Sequence, residues 1–238
     1  MIQTDMNSLD IINTENITYL NTKVEQLKTM YKDEISLENE IVDLLVFALV
    51  KHGKNENQIR QTSQISKILG ESLGLDTTYC NVLEQAACIY DIGNISIIRE
   101  IYQKDDELTF EEFDVVKNHT RTGYEILKAQ TFSNTQMAAI ISLQHHEWWN
   151  RGGYPQQLKE EEIDISARIV AIADTVGALF HTRPGRKAWN FNEIIKYIKA
   201  RNGLQYDPEI VEVFIDKKEL IHTILQTDFS QESRCNSV

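Results

Sequence analysis

His145-His146-Glu147-Trp148-Trp149-Asn150-Arg151-Gly152-Gly153-Tyr154-Pro155 is the stretch on which the reading of this chain turns. Helical signals run into it from upstream, the Arg151-Gly152-Gly153-Tyr154-Pro155 segment breaks them, and an apolar helical pattern resumes over 165–179. Adjacent residues on a helix point about 100° apart, so two neighbouring histidines rarely serve one packing face. At a helix end both can reach one metal cluster. As surface or capping residues they need no metal, and the pair alone leaves both readings open.

Outward from this stretch the pattern stays helical over 41–215, which makes the chain all-α. Ile65, Ile68, Leu69 and Leu73 share one helix face, and Gly74 can end that helix. Asp76 or Thr77 can cap the next, which carries Val82, Leu83, Ala86, Ala87 and Ile89. Thr109-Phe110-Glu111-Glu112 is a capping box, and the helix it opens is expected to run through Phe113 and Val116 toward Ile126. The 165–179 helix ends at Arg183-Pro184-Gly185, and 192–199 is one more short helix. No alternating strand series and no repeat is visible.

The 238 residues suffice for one large domain or two small ones. With a formal net charge of −12, the chain lacks the clustered cations that a nucleic-acid polymer requires as partner. The longest apolar run, 41–50 with Asp43 inside it, is too short to span a bilayer, and nothing resembles a signal peptide. Cys80, Cys88 and Cys235 have no C-x-x-C spacing and read as reduced thiols of a cytoplasmic protein. Residues 1–40 form an N-terminal extension. There Ile17, Leu20, Val24, Leu27 and Tyr31 step by 3, 4, 3 and 4, so the segment is either an amphipathic helix packed on its own domain or a stalk that pairs two copies in a homodimer. Residues 216–238 form a tail with one apolar patch, Leu220, Ile221, Ile224 and Leu225, and a polar end.

Two carboxylates stand out. Asp174 sits inside Ile169-Val170-Ala171-Ile172-Ala173, and a carboxylate in an apolar helix is costly unless paired or bound to a metal. Asp91 follows the apolar run that ends at Ile89-Tyr90. His119 lies on the apolar face of its helix, either as a hydrogen-bonded core residue or as a ligand. Asp91, His119, His145, His146 and Asp174 together offer imidazole and carboxylate donors, which suit iron, manganese, nickel or zinc better than calcium or magnesium.

The opening stretch resembles the H-H-E-x-x-D-G-x-G-Y-P signature of HD-GYP domains. Other matches fall in that family's order: Asp91-Ile92-Gly93 resembles its H-D-x-G-K segment, His119-x-x-x-Gly123 follows, Arg168 to Asp174 resembles its R-I-v-a-i-a-D helix, and Gly203-Leu204-Gln205-Tyr206-Asp207-Pro208 its closing G-x-q-F-D-P. The resemblance covers 41–215. It implies an HD-type helical bundle holding two or three metals, often iron or manganese, that hydrolyses the bacterial second messenger cyclic di-GMP by two-metal chemistry, with Asp91 as the bridging carboxylate. It further implies that Arg183 and Arg186 grip the ligand's phosphates and that Tyr154 is a further ligand contact.

The departures from the family pattern fall on one metal. Gln58 stands where the family has its first ligand His, Lys54 where three-metal members have a carboxylate, Tyr90 for the His of the H-D pair, Asn94 for the Lys after it, and Gly177 for a second acid beyond Asp174. The resemblance implies one complete set, Asp91, His119, His145 and His146, and a second site reduced to Asp91 and Asp174. His52, six residues before Gln58, points off that face, and His181, seven residues from Asp174, lies two helical turns away, too far to share its metal. Loss of one metal can remove about 4 kcal/mol of transition-state stabilisation, roughly a thousandfold in rate. The expectation is a degenerate HD-GYP domain of cyclic di-GMP signalling that binds about one divalent transition metal per chain. It would bind a cyclic dinucleotide or a signalling protein, with weak or no phosphodiesterase activity. The alternative is a working phosphodiesterase on a mononuclear or rearranged site.

Overall fold

The computed structural model describes residues 14–30, 34–182 and 185–229. Among them are twelve α-helices, two 3-10 turns and no β-strand. Helices α1 (Thr14–Met30), α2 (Glu34–His52), α3 (Glu56–Ser72) and α4 (Thr77–Ile89) lead into a 3-10 turn at Ile92–Ser96. Then follow α5 (Arg99–Tyr102), α6 (Phe110–Lys117), α7 (His119–Leu127) and α8 (Ser133–Gln144). After a long loop with a 3-10 turn at Glu160–Glu162 come α9 (Ile165–Phe180), α10 (Phe191–Ala200), α11 (Pro208–Asp216) and α12 (Lys218–Gln226).

Local chemistry sets these boundaries. The Asp76 carboxylate accepts the Thr78 and Tyr79 amides to start α4. Thr109 and Glu112 close their capping box at α6, and Asn190 and Glu193 close another at α10. The helix expected to run on to Ile126 instead breaks at Asn118. There His119 Nδ1 takes the Val116 carbonyl at 2.6 Å and Thr120 Oγ1 takes the Lys117 carbonyl at 2.9 Å, so two side chains claim oxygens that continuing backbone amides would use.

The core is built around α9. Ile169, Val170, Ile172, Ala173 and Val176 are fully buried, with α3 and α8 packed against this helix and α4 against α3 and α8. Each of the isoleucines and valines contributes about 1.5–3 kcal/mol by leaving water. Part of the N-terminal heptad face packs on the chain's own domain. Leu20 and Val24 are buried, Ile17 and Leu27 pack beside them, and α1 lies on α2; Tyr31 falls outside the described residues. At the other end, Ile221, Ile224, Leu225 and Phe229 belong to the core. The Gln61 amide donates to the carbonyls of Leu225 and Thr227 at 3.0 and 3.1 Å, and Asn57 Oδ1 accepts the Phe229 amide at 2.8 Å. No helix among the described residues is long and apolar enough to cross a membrane.

Candidate metal centre

Four elements deliver the site. Asp91 leaves the C-terminal end of α4 and opens the 3-10 turn, while His119 is the first residue of α7. His145 caps the C-terminal end of α8 with His146 next in sequence, and Asp174 projects from the middle of α9. Two glycines bring these pieces together. A Cβ on Gly93 would land on the backbone of His119 and Gly123, and one on Gly123 would strike the Ser142 hydroxyl, so the Asp91 turn, α7 and α8 meet at van der Waals limits.

The three imidazoles converge. Ligand nitrogens of His119, His145 and His146 lie within 4.8 Å of one another. His145 Nδ1 faces the carbonyls of Ile141 and Ser142 at 2.9 and 3.0 Å, and His119 Nδ1 faces that of Val116. A carbonyl only accepts, so each ring carries its proton on Nδ1 and turns a bare lone pair out at Nε2. Those two Nε2 atoms sit 3.4 Å apart, and Asp91 Oδ1 is 3.4 Å from His119 Nε2. Three buried acceptors thus point at one spot, an arrangement that fits a cation between them. Burial, then the neighbouring His119, pushes the His145 pKa down to about 4, and burial and the other imidazoles press His146 down too. Neutral rings need no proton displaced to bind a metal near pH 7.

Where the resemblance puts a second metal, a lysine and a tyrosine stand against the two carboxylates. Lys54, 9% exposed, donates to Asp91 Oδ2, and its Nζ is 3.8 Å from Asp174 Oδ1. The Tyr90 hydroxyl donates to that same Asp174 oxygen at 2.6 Å. Burial raises the Asp91 pKa, but the Lys54 ammonium, with His119 and His145, outweighs it and holds the carboxyl far below the usual range. Gln58 is buried and its amide nitrogen finds no hydrogen-bond partner. Helices α3 and α9 close on each other at Gly177, where a Cβ would come within 2.9 Å of Thr62 Oγ1 and 3.3 Å of Gln58 Cγ. The volume that a second acid at 177 would fill is therefore taken up by α3.

A cavity of about 320 Å³ opens onto the centre, lined by Lys54, Asp91, Asn94, His119, His146, Tyr154 and Asp174 with an apolar rim of Ile101, Leu108 and Phe113. The Tyr154 ring stacks on His146 at 4.8 Å between centroids. Burial, then Asp91, pushes its phenol upward, so it stays a hydrogen-bond donor. Arg186 does not line this cavity: its guanidinium donates to the Ala178 carbonyl at the end of α9. Arg183 lies outside the described residues. The remaining histidines are elsewhere, His52 against Tyr102, His181 on Gln61 Oε1 at 2.6 Å and His222 stacked on Phe191.

Residues 36–210 match the family model described as HD domain. The chain belongs to the HD domain family. It is 34% identical over 179 residues to the cyclic di-GMP phosphodiesterase response regulator RpfG of Xanthomonas campestris, covering 75% of this chain and 47% of that protein. It is 31% identical over 217 residues to a cyclic di-GMP phosphodiesterase of Thermotoga maritima, covering 91% of this chain and 58% of that one. The chain thus spans about half the length of these relatives. Among solved structures, a cyclic GMP-AMP specific phosphodiesterase of Vibrio cholerae shares the fold with a TM-score of 0.60 at 20% identity, over 81% of this chain and 51% of that one. An HDG"Y"P protein from Bdellovibrio bacteriovorus does so with a TM-score of 0.57 at 16% identity, over 86% of this chain and 70% of that one.

Two residues of this HD domain's site escape motif reading. Lys54 enters a motif comparison only as a missing carboxylate. Glu147, inside the quoted signature, faces away from the centre and accepts the backbone amides of Gln156, Gln157 and Leu158 at 2.5, 3.1 and 3.0 Å, which fixes the loop carrying Tyr154. The sequence signal for it is an acid placed just ahead of the Gly152-Gly153-Tyr154-Pro155 loop, whose amides need an acceptor.

Proposed function

We propose that this HD domain is a cytoplasmic binding module of cyclic dinucleotide signalling. It holds one divalent transition metal, iron or manganese, and has weak or no phosphodiesterase activity. The observation that carries the reading is the asymmetry of the centre. One half presents converging imidazole lone pairs, and the other presents Asp91 and Asp174 already engaged by Lys54 and Tyr90. His119, His145 and His146, with Asp91, would hold the metal. When bound, a divalent ion supplies Lewis-acid stabilisation of phosphoryl oxygens and lowers the pKa of water. The chain's own residues do the rest. The carbonyls of Val116, Ile141 and Ser142 orient the rings, and Tyr154 presents a phenolic donor to a phosphate oxygen in the cavity. The apolar rim excludes water on one side. Cys80 and Cys88, buried free thiols, suit a reducing compartment.

A second reading is an active cyclic di-GMP phosphodiesterase on a mononuclear site, favoured by the curated activity of the relatives at 34% and 31% identity. One experiment separates the two. Purified full chain is assayed for metal content by mass spectrometry, for cyclic di-GMP binding by calorimetry, and for product formation by chromatography. Binding with one ion per chain and turnover at least a thousandfold below an intact HD-GYP enzyme supports the module. Brisk metal-dependent turnover establishes the enzyme. Retained binding in Tyr154→Phe and Arg183→Ala would place the ligand elsewhere.

A further inference from the structure

We infer that the Lys54 ammonium is a built-in substitute for the second metal ion, a cation tethered to the chain between Asp91 and Asp174. The inference rests on the one-metal reading above and names the residue responsible for it.

Lys54 is placed with little freedom. The chain leaves α2 with Gly53 at φ +124°, a conformation L side chains rarely adopt, and the Gly53 and Lys54 amides both donate to the Leu49 carbonyl at 3.1 and 3.0 Å. Immediately after it, Asn55 caps α3 by accepting the Gln58 amide. Between these two caps the Lys54 side chain runs inward, with only 7% of it exposed. Its head then meets Asp91 Oδ2, lies 3.8 Å from Asp174 Oδ1, and stands 5.6 Å from the Tyr90 ring centroid. These are the two carboxylates left from the second site, with the aromatic face of the residue that replaces its imidazole.

The chemistry is that of charge replacement without coordination. An ammonium neutralises carboxylates and can face a phosphate oxygen, and Lys54 lines the cavity. It brings one positive charge where a divalent ion brings two, and it has no vacant orbital with which to bind and acidify water. The changes at 54, 58, 90 and 177 then form one coherent set: once a lysine supplies the cation, the imidazoles at 58 and 90 and the acid at 177 have nothing to ligate. It follows that restoring Gln58→His, Tyr90→His and Asn94→Lys alone leaves the second place blocked.

The test is a Mn²⁺ titration of the metal-stripped full chain, read by calorimetric stoichiometry and by the rise in Tm, with circular dichroism to check folding. Lys54→Glu should take up one more ion per chain than wild type and gain more Tm from Mn²⁺. Lys54→Met should also take up the extra ion, and in chelator should melt below wild type because it leaves two carboxylates facing each other. Equal ion counts in wild type and both folded variants would overturn the inference and reduce Lys54 to an ordinary ion pair. Two ions in wild type would overturn it as well. If wild type bound none, the one-metal reading would fail, while an extra ion in Lys54→Glu would still support the assignment of Lys54. Should Lys54→Glu not fold, Lys54→Met carries the same comparison.

Discussion

Lowering the pH on metal-free protein should destabilise it through the histidine cluster. His145 has its pKa depressed from the ordinary 6.5 to about 4 by burial, then by His119, so between these values the unfolded chain binds a proton that the folded chain refuses. Stability contributed by the neutral ring is complete above about pH 6.5 and drains as pH falls toward about pH 4. Each pH unit in that window costs about 1.4 kcal/mol, so the fall from about pH 6.5 to about pH 4.5 removes roughly 2–3 kcal/mol for this ring. His146, lowered for the same reason, adds to it in the same direction. Asp91 does not interfere: its carboxyl is held far below the usual range, so its own contribution is lost only in stronger acid. A total stability of about 5–15 kcal/mol makes such a loss easy to see. Urea unfolding of stripped protein at fixed ionic strength measures it, with His145→Gln as the reference whose pH slope should be shallower. A wild-type midpoint that stays constant across the window, or falls no faster than that of the variant, would refute the assignment of buried neutral imidazoles.

Three further outcomes are expected. Gly93→Ala, whose new methyl would meet the backbone of His119 and Gly123, should cost about 3 kcal/mol or more and weaken Mn²⁺ binding; an unchanged calorimetric Tm would contradict the close approach. Tyr90→Phe removes the hydroxyl on Asp174 Oδ1 and should cost about 2 kcal/mol in urea unfolding while leaving uptake of the first ion intact. Glu147→Gln trades an acceptor of three amides for a group with one acceptor oxygen, and should cost about 1–3 kcal/mol. In that variant hydrogen exchange at Gln156, Gln157 and Leu158 should speed up; unchanged exchange would show that another group holds the loop.

What was legible in the sequence was local or motif-bound. Asp76, Thr109 and Glu112 sit beside the amides they cap, so nearest-neighbour chemistry is enough to find them. His145 and His146 are adjacent in the chain, and the ordered motifs tie them to Asp91, His119 and Asp174. The break at Asn118 was not legible, because it depends on His119 and Thr120 turning back onto carbonyls instead of outward. Arg186 matches a motif, yet its guanidinium lies on Ala178 because the end of α9 offers an unclaimed carbonyl there. Lys54 was invisible as a partner because it is 37 residues from Asp91 and 120 from Asp174, and no spacing rule joins a helix linker to the middle of α9.

The segment that follows α11 bears on where this domain can safely be cut. The family model stops at residue 210, whereas packing continues to Phe229, whose amide is gripped by Asn57 at the start of α3. A fragment trimmed to the family border would lack Phe214, Ile221, Leu225 and Phe229, bare the core surface they cover, and leave the Gln61 amide without its two carbonyls. Losing the burial that each of these large side chains contributes, about 1.5–3 kcal/mol apiece, is enough to consume most of a domain's margin. The same helix α3 carries Gln58, so shortening the chain would slacken the wall behind Asp174. Recombinant fragments of this domain, and any fusion to its C-terminal side, are best designed to keep residues through 229.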